Sequence, residues 1–296
     1  MKKTSIFAYF CIVFRIVHCF FVTLPSIMKH CAVNIKGSLF SLEHPRVMAV
    51  INATPDSFAF SCSSLAEADF LAVASLAVNQ GADIIDVGAC STRPGFVAVD
   101  IKEEWRRLEI ALSAIRKAFS DVILSVDTFR ASIARRAVEQ YGVNIINDVS
   151  GGADADMFGL VAQLGVPYIL THSHSLQARH PVAEQVLDFF IHRVDELYKI
   201  GARDVILDPG FGFAKALRQN YELLAHLADL KVLQLPILAG ISRKSMIYET
   251  LGTIPQSDTA LHGTMIAQMS ALAAGASILR VHDVAAARRV VNIFES

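Results

Sequence analysis

From about residue 45 onward the chain alternates two kinds of segment, and this alternation constrains its fold more than any other feature. Short, β-branched, mainly apolar runs occur at Val47–Ile51, Ile84–Gly88, Val122–Val126, Val143–Ile146, Val166–Leu170, Val205–Leu207, Pro236–Ala239 and Ile278–Val281. Runs that are apolar on both faces suit strands of a parallel sheet covered by helices. Between them lie segments with helical spacing. Glu184–Ile200 places Val186, Leu187, Phe190, Ile191, Val194, Leu197 and Tyr198 on one stripe, and Arg130–Tyr141 repeats the pattern through Ile133, Ala134, Ala137, Val138 and Tyr141. Gly81, Gly142, Gly165, Gly201 and Gly275 follow such segments, where a left-handed helix cap favours glycine. Eight strands with helices between them, over roughly 250 residues, predict a single-domain α/β protein, a (β/α)8 barrel. An open doubly wound sheet is the alternative, but no G-x-G-x-x-G turn follows the first strand.

The first 38 residues read as an extension to a barrel spanning 39–296. Residues 4–27 are mostly apolar after Lys2 and Lys3, and the chain's mean hydropathy is +0.43, so a membrane reading has to be weighed. Arg15 and His18 interrupt the run, where a central charge costs about 2.5–3.5 kcal/mol on insertion scales. No A-x-A-like cleavage site closes it. Past residue 40 no apolar run of the roughly 18 residues needed for a span recurs. Met28 offers an alternative start, leaving 1–27 as a mis-assigned leader; a true N-terminal anchor is the other reading. A net charge of -1, from 27 basic and 28 acidic residues, lacks the electrostatic footprint of a nucleic-acid binder. Cys11, Cys19, Cys31, Cys62 and Cys90 form no C-x-x-C pair, which suits a reducing, cytoplasmic setting rather than a zinc site or disulfide framework.

The polar residues gather where the strands end. In chain order these are Asn52 with Thr54-Pro55-Asp56-Ser57; Asp86, then Ser91-Thr92-Arg93-Pro94-Gly95; Asp127; Asn147-Asp148; His172; Asp208; Ser242-Arg243-Lys244; and Arg280 with His282. In a barrel those ends converge on one mouth, where active sites sit. Deep acceptors at Asp127, Asn147 and Asp208 suit a flat heterocycle with an amino-pyrimidine edge, since carboxylates accept paired N–H donors. Arg93, Arg243, Lys244, Arg280 and His282 bring donors to the same rim, which suits a phosphorylated substrate. No Ser-His-Asp order or G-x-S-x-G elbow is present, and His172-x-His174 lacks a third zinc ligand. Bland alternatives accompany each assignment: Asn52 as an Asx turn, Asp86 as an interior acid supporting a loop, Phe213 as packing, His282 as a structural histidine.

Several of these stretches resemble one family. They are Ile51-Asn52-Ala53-Thr54-Pro55-Asp56-Ser57-Phe58, Gly81-Ala82-Asp83-Ile84-Ile85-Asp86-Val87-Gly88 with Ser91-Thr92-Arg93-Pro94-Gly95, Asp208-Pro209-Gly210-Phe211-Gly212-Phe213, Ser242-Arg243-Lys244-Ser245 and Arg280-Val281-His282-Asp283. In this order, from about residue 35 to the end, they resemble dihydropteroate synthase. The resemblance implies a TIM barrel and condensation of 6-hydroxymethyl-7,8-dihydropterin diphosphate with 4-aminobenzoate in folate synthesis. It implies that Asp127, Asn147, Asp208 and Lys244 hold the pterin; Phe213, where it does not simply pack, would face the ring. Arg280, His282 and Asn52 would hold the diphosphate and its Mg2+, Asn52 closest to the metal. Thr92, Arg93, Pro94 and Ser242 would shape the aminobenzoate site. Asp127, Lys244 and Arg280 would carry the chemistry. A homodimer, small-molecule substrates, and no membrane partner for 39–296 also follow. The chain departs from the family pattern at Cys90, where glutamate is common, at Ala214, which replaces a glycine, and at Thr171-His172-Ser173-His174.

Overall fold

The structure, a computed structural model, describes residues 31–54, 66–90 and 99–296. The described strands are β1 (Ala32–Ile35), β2 (Ser38–Ser41), β3 (Arg46–Asn52), β4 (Ile84–Gly88), β5 (Ile123–Asp127), β6 (Ile145–Asp148), β7 (Tyr168–Thr171), β8 (Val205–Asp208), β9 (Leu238–Ala239) and β10 (Ile278–Val281). Eight of them form one parallel sheet in the order β8-β7-β6-β5-β4-β3-β10-β9. A parallel bridge between Leu207 and Ile237, just ahead of β9, joins the two ends and closes the barrel. The eight predicted runs all become strands, several ending one or two residues further on, so that Asp127, Asp148, Thr171 and Asp208 are themselves strand residues.

The described helices are α1 (Glu67–Asn79), α2 (Ile101–Ala118), α3 (Ala131–Tyr141), α4 (Met157–Leu164), α5 (Val182–Lys199), α6 (Leu217–Ala225), α7 (Ser245–Thr250), α8 (Asp258–Ala273) and α9 (Val284–Phe294). Local chemistry starts and stops them. Asp100 caps α2 by accepting from the amides of Lys102 and Glu103, while Gly142 and Gly165 end α3 and α4 in the left-handed conformation. Strand residues that face the helices, such as Val47, Ile85, Leu124 and Ile146, join the main apolar core. The alternate residues face the barrel axis: Met48, Ile84, Ile145, Ile206 and Ile278 fill its lower end and are fully buried. Toward the carboxyl ends these inward positions turn polar, through Asp86, Ser125, Asp127, Asn147 and Asp208.

One expectation changes. The stripe on α5 is narrower than its sequence indicates: Val186, Phe190 and Leu197 are fully buried, but Ile191 and Tyr198 are 45% and 37% exposed. A seven-residue stripe covers a wider arc than the sheet beneath it can cover. The hairpin of β1 and β2 was unforeseen; its Lys36-Gly37 turn takes two positive φ angles, 51° and 83°, as tight hairpin turns require. Asn34 ties this hairpin to the barrel by donating its amide N–H to Asp204 at 2.9 Å. Among the described residues no helix is long and apolar enough to cross a membrane.

Candidate active site

Sheet register alone brings several predicted residues together. Asn52 pairs with Gly88, Gly88 with Asp127, Asp127 with Asn147, and Thr171 with Asp208. Gly88 matters here because a Cβ at that position would press on the Asp127 side chain at 3.2 Å. The mouth is thus assembled from strand tips whose residues lie far apart in the chain.

A charged network links three of those tips. Arg280 donates through Nε to Asp86 Oδ2 at 2.7 Å and through Nη2 to Asp127 Oδ2 at 2.6 Å. Asn147 Nδ2 donates to the same Asp86 oxygen at 3.0 Å. Burial pushes the Asp127 carboxyl up to about 7 against the opposing pull of Arg280, with Asp86 adding to the rise. Burial opposes the charge on Arg280, but the carboxylates of Asp86 and Asp127 outweigh it and hold the guanidinium firmly protonated. Asp86, weighed in sequence only as a supporting acid, is the hub of this network. The signal was present: a lone acid in an otherwise apolar two-sided strand has to find buried partners.

The loop after β8 forms another wall. Asp208 accepts the Gly210 amide at 2.8 Å; burial raises its carboxyl, while that hydrogen bond and the Lys244 charge pull it down. Lys244 Nζ stands 4.3 Å from the centre of the Phe213 ring. Lys215, which sequence reading passed over, sits beneath this loop. Its Nζ donates to the carbonyls of His172, Gly210 and Phe213 at 2.9, 3.0 and 3.3 Å, and burial pushes its ammonium down to about 7. Ala214 adopts a φ of 47°, a left-handed conformation that a glycine takes more easily.

On the third side, the Ser242 hydroxyl accepts the His282 amide N–H at 3.2 Å and lies 3.1 Å from His282 Nδ1. Burial and the charges of Arg280 and Lys244 push the imidazole down to about 4, so it is neutral at pH 7. With the Ser242 hydroxyl donating to Nδ1, the proton sits on Nε2 and makes that nitrogen a donor; the same spacing also admits Nδ1–H donating to the hydroxyl. Arg243 departs from the rim expected of it. It pairs with Asp283 through Nε and Nη2 at 2.7 and 2.9 Å, and its Nη1 is engaged by the Pro255 carbonyl. It braces the turn after β10 that carries His282 and Asp283. Thr92 and Arg93 lie outside the described residues.

The arrangement offers buried acceptors at Asn147 and Asp208 and a largely buried one at Asp127, beside the donors Lys244, Arg280 and His282. Comparisons with known proteins point to one family. A sequence model of the family described as pterin binding enzyme matches residues 48–282. The dihydropteroate synthase of Escherichia coli strain K12 is 36% identical over 270 residues, covering 88% of this chain and 94% of that one. A dihydropteroate synthase of Streptococcus pyogenes serotype M3 is 36% identical over 250 residues, covering 83% and 93%. Among solved structures, the Xanthomonas albilineans dihydropteroate synthase with 4-aminobenzoic acid matches with a TM-score of 0.82 at 34% identity, over 90% of this chain and 98% of that one. A structure of dihydropteroate synthase from the same organism in complex with 7,8-dihydropteroate matches with a TM-score of 0.78 at 33% identity, over 89% and 97%.

Proposed function

The chain belongs to the dihydropteroate synthase family of pterin-binding enzymes, and on that premise we propose how its barrel mouth divides the work. The protein condenses 6-hydroxymethyl-7,8-dihydropterin diphosphate with 4-aminobenzoate, giving 7,8-dihydropteroate and pyrophosphate in folate synthesis. The bond from the pterin methylene carbon to the diphosphate oxygen breaks, its electron pair leaving with the diphosphate. The arylamine lone pair forms the new C–N bond, and the surplus amine proton goes to solvent. The amine is neutral at pH 7, so attack needs no general base.

Asp127, Asn147 and Asp208 accept N–H groups from the pterin, and Lys244 with Phe213 covers the ring. The charge-assisted bonds to Asp127 and Asp208 are each worth about 1.5–3 kcal/mol. Arg280 and His282 meet the diphosphate, the guanidinium by charge and the imidazole through Nε2–H. Losing one such donor to a developing negative charge costs about 2.7–4 kcal/mol in comparable sites. Thr92, Arg93 and Ser242 shape the aminobenzoate site. The observation that carries the division is the Asp86–Arg280–Asp127 network, which sets the proposed ring acceptors beside the proposed diphosphate donor.

Mg2+ belongs to this reading. Among the described residues no group of three or more His, Cys, Asp or Glu is placed to hold a metal ion. Asn52, half-buried at the tip of β3, supplies one amide oxygen. That donor set fits an ion that arrives with the diphosphate and keeps water ligands, as Mg2+ commonly does. Asn52 would hold it, and the ion would neutralise charge on the leaving group. The cysteine pattern supports a cytoplasmic setting, and the family likeness supports a homodimer.

The test is steady-state pyrophosphate release by the full chain with Mg2+. Release that requires both substrates and is matched by dihydropteroate supports the reading. Pterin binding with no release would make the protein a silent pterin binder.

A further inference from the structure

Asp86 is fully buried on β4, and none of the substrate contacts given above falls to it. It lies one inward rung below Asn147: the ladder pairs Asp86 with Ser125, while Asp127, two residues further along β5, pairs with Asn147. Asp86 Oδ2 accepts from Asn147 Nδ2 at 3.0 Å and from Arg280 Nε at 2.7 Å. A carboxylate accepts and does not donate, so Asn147 has to turn its amide nitrogen toward Asp86. The other end of that amide, Oδ1, is buried and has no hydrogen-bond partner among the described residues. Asp86 therefore decides which end of Asn147 is left for a ligand.

We propose that Asp86 is a specificity-determining positioning residue that locks Asn147 as an acceptor. Through this lock the mouth selects a 2-amino pterin over its 2-oxo counterpart, in which an exocyclic N–H donor becomes a carbonyl acceptor. The inference rests on the pterin-binding reading and deepens it. A site built to accept a ligand N–H leaves a buried acceptor unpaired when the analogue lacks that hydrogen, which is where its selectivity comes from. Shared anchoring of Asn147 and Arg280 on one oxygen further couples the ring edge to the diphosphate end.

The experiment is calorimetric binding of 6-hydroxymethylpterin and of its 2-oxo counterpart to the full-length protein and to Asp86→Asn, with thermal unfolding of both. The wild type should bind the 2-amino ligand about tenfold more tightly or better, given the usual cost of an unpaired buried group. In Asp86→Asn the substituted amide can donate as well as accept, so Asn147 is free to turn over and the ratio should fall at least threefold. If the substitution weakens both ligands by the same factor, leaving the ratio unchanged, Asp86 is merely structural and the proposal is overturned. A wild type that binds the two ligands equally overturns it without recourse to any variant. Absence of all pterin binding by the wild type would remove the functional reading, and this inference with it.

Discussion

Arg280 on β10 donates through Nη2 to Asp127 Oδ2 on β5 at 2.6 Å, reaching past the two strands that separate them in the sheet. The contact places opposing influences on one carboxyl. Burial raises Asp127 to about 7, and the guanidinium restrains that rise.

Affinity for the pterin ring should therefore depend on pH. Only the ionised carboxylate offers both oxygens as acceptors, so 6-hydroxymethylpterin, free of the diphosphate's own titration, should bind more tightly as pH rises through about 7. The dependence should approach tenfold per pH unit below that point. Asp127→Asn should bind more weakly and lose the dependence. Calorimetry between pH 5.5 and pH 8.5, a span of about three units, checks this; a flat wild-type profile would contradict it.

Lys215→Met should destabilise the protein by about 1–3 kcal/mol, because three carbonyls lose a buried donor. The sign with pH is also fixed. The folded-state value of about 7 lies below the unfolded value of about 10.4, so the unfolded chain binds more protons between them. Wild-type stability should gain from this group as pH rises from about 7 toward 10.4, and the Met variant should lack that gain. Urea unfolding at pH 7 and pH 9 measures both effects.

Gly210 and Gly252 both have positive φ, 72° and 60°, but only Gly210 is crowded: a Cβ there would overlap the His172 carbonyl. Gly210→Ala should cost about 3 kcal/mol or more and abolish pterin binding by displacing the Asp208 loop. Gly252→Ala, with open space around it, should cost about 1–2 kcal/mol. Thermal unfolding paired with calorimetry separates the two.

On α5 the burial pattern predicts a sharp contrast between neighbours. Phe190→Ala should cost about 3–5 kcal/mol, whereas Ile191→Ala should cost under about 0.5 kcal/mol despite similar hydrophobicity. Equal losses in chemical unfolding would restore the wider stripe.

The barrel was legible because each strand is buried on two faces and so appears as an uninterrupted apolar run. The mouth was legible because polar residues at the ends of such runs share one destination. What sequence left obscure depends on three-dimensional partners. Asp86 looks like a supporting acid until Arg280, 194 residues away, closes on it. Arg243 looks like a rim cation because nothing local reveals that Asp283, 40 residues away, engages it. Lys215 escapes notice in the sequence because its three partners are main-chain carbonyls, which carry no sequence signature. The hairpin at 32–41 is short and largely exposed, so it lacks the apolar run that marks the barrel strands.

The most direct measurement of the central claim is a crystal structure of the protein with pterin diphosphate bound. The account predicts the donor edge of the ring on Asp127, Asn147 Oδ1 and Asp208, Lys244 over the ring face, and the diphosphate against Arg280 and His282 Nε2. A ring seated away from those strand tips, or an Asn147 that turns its amide nitrogen to the ligand, would contradict it.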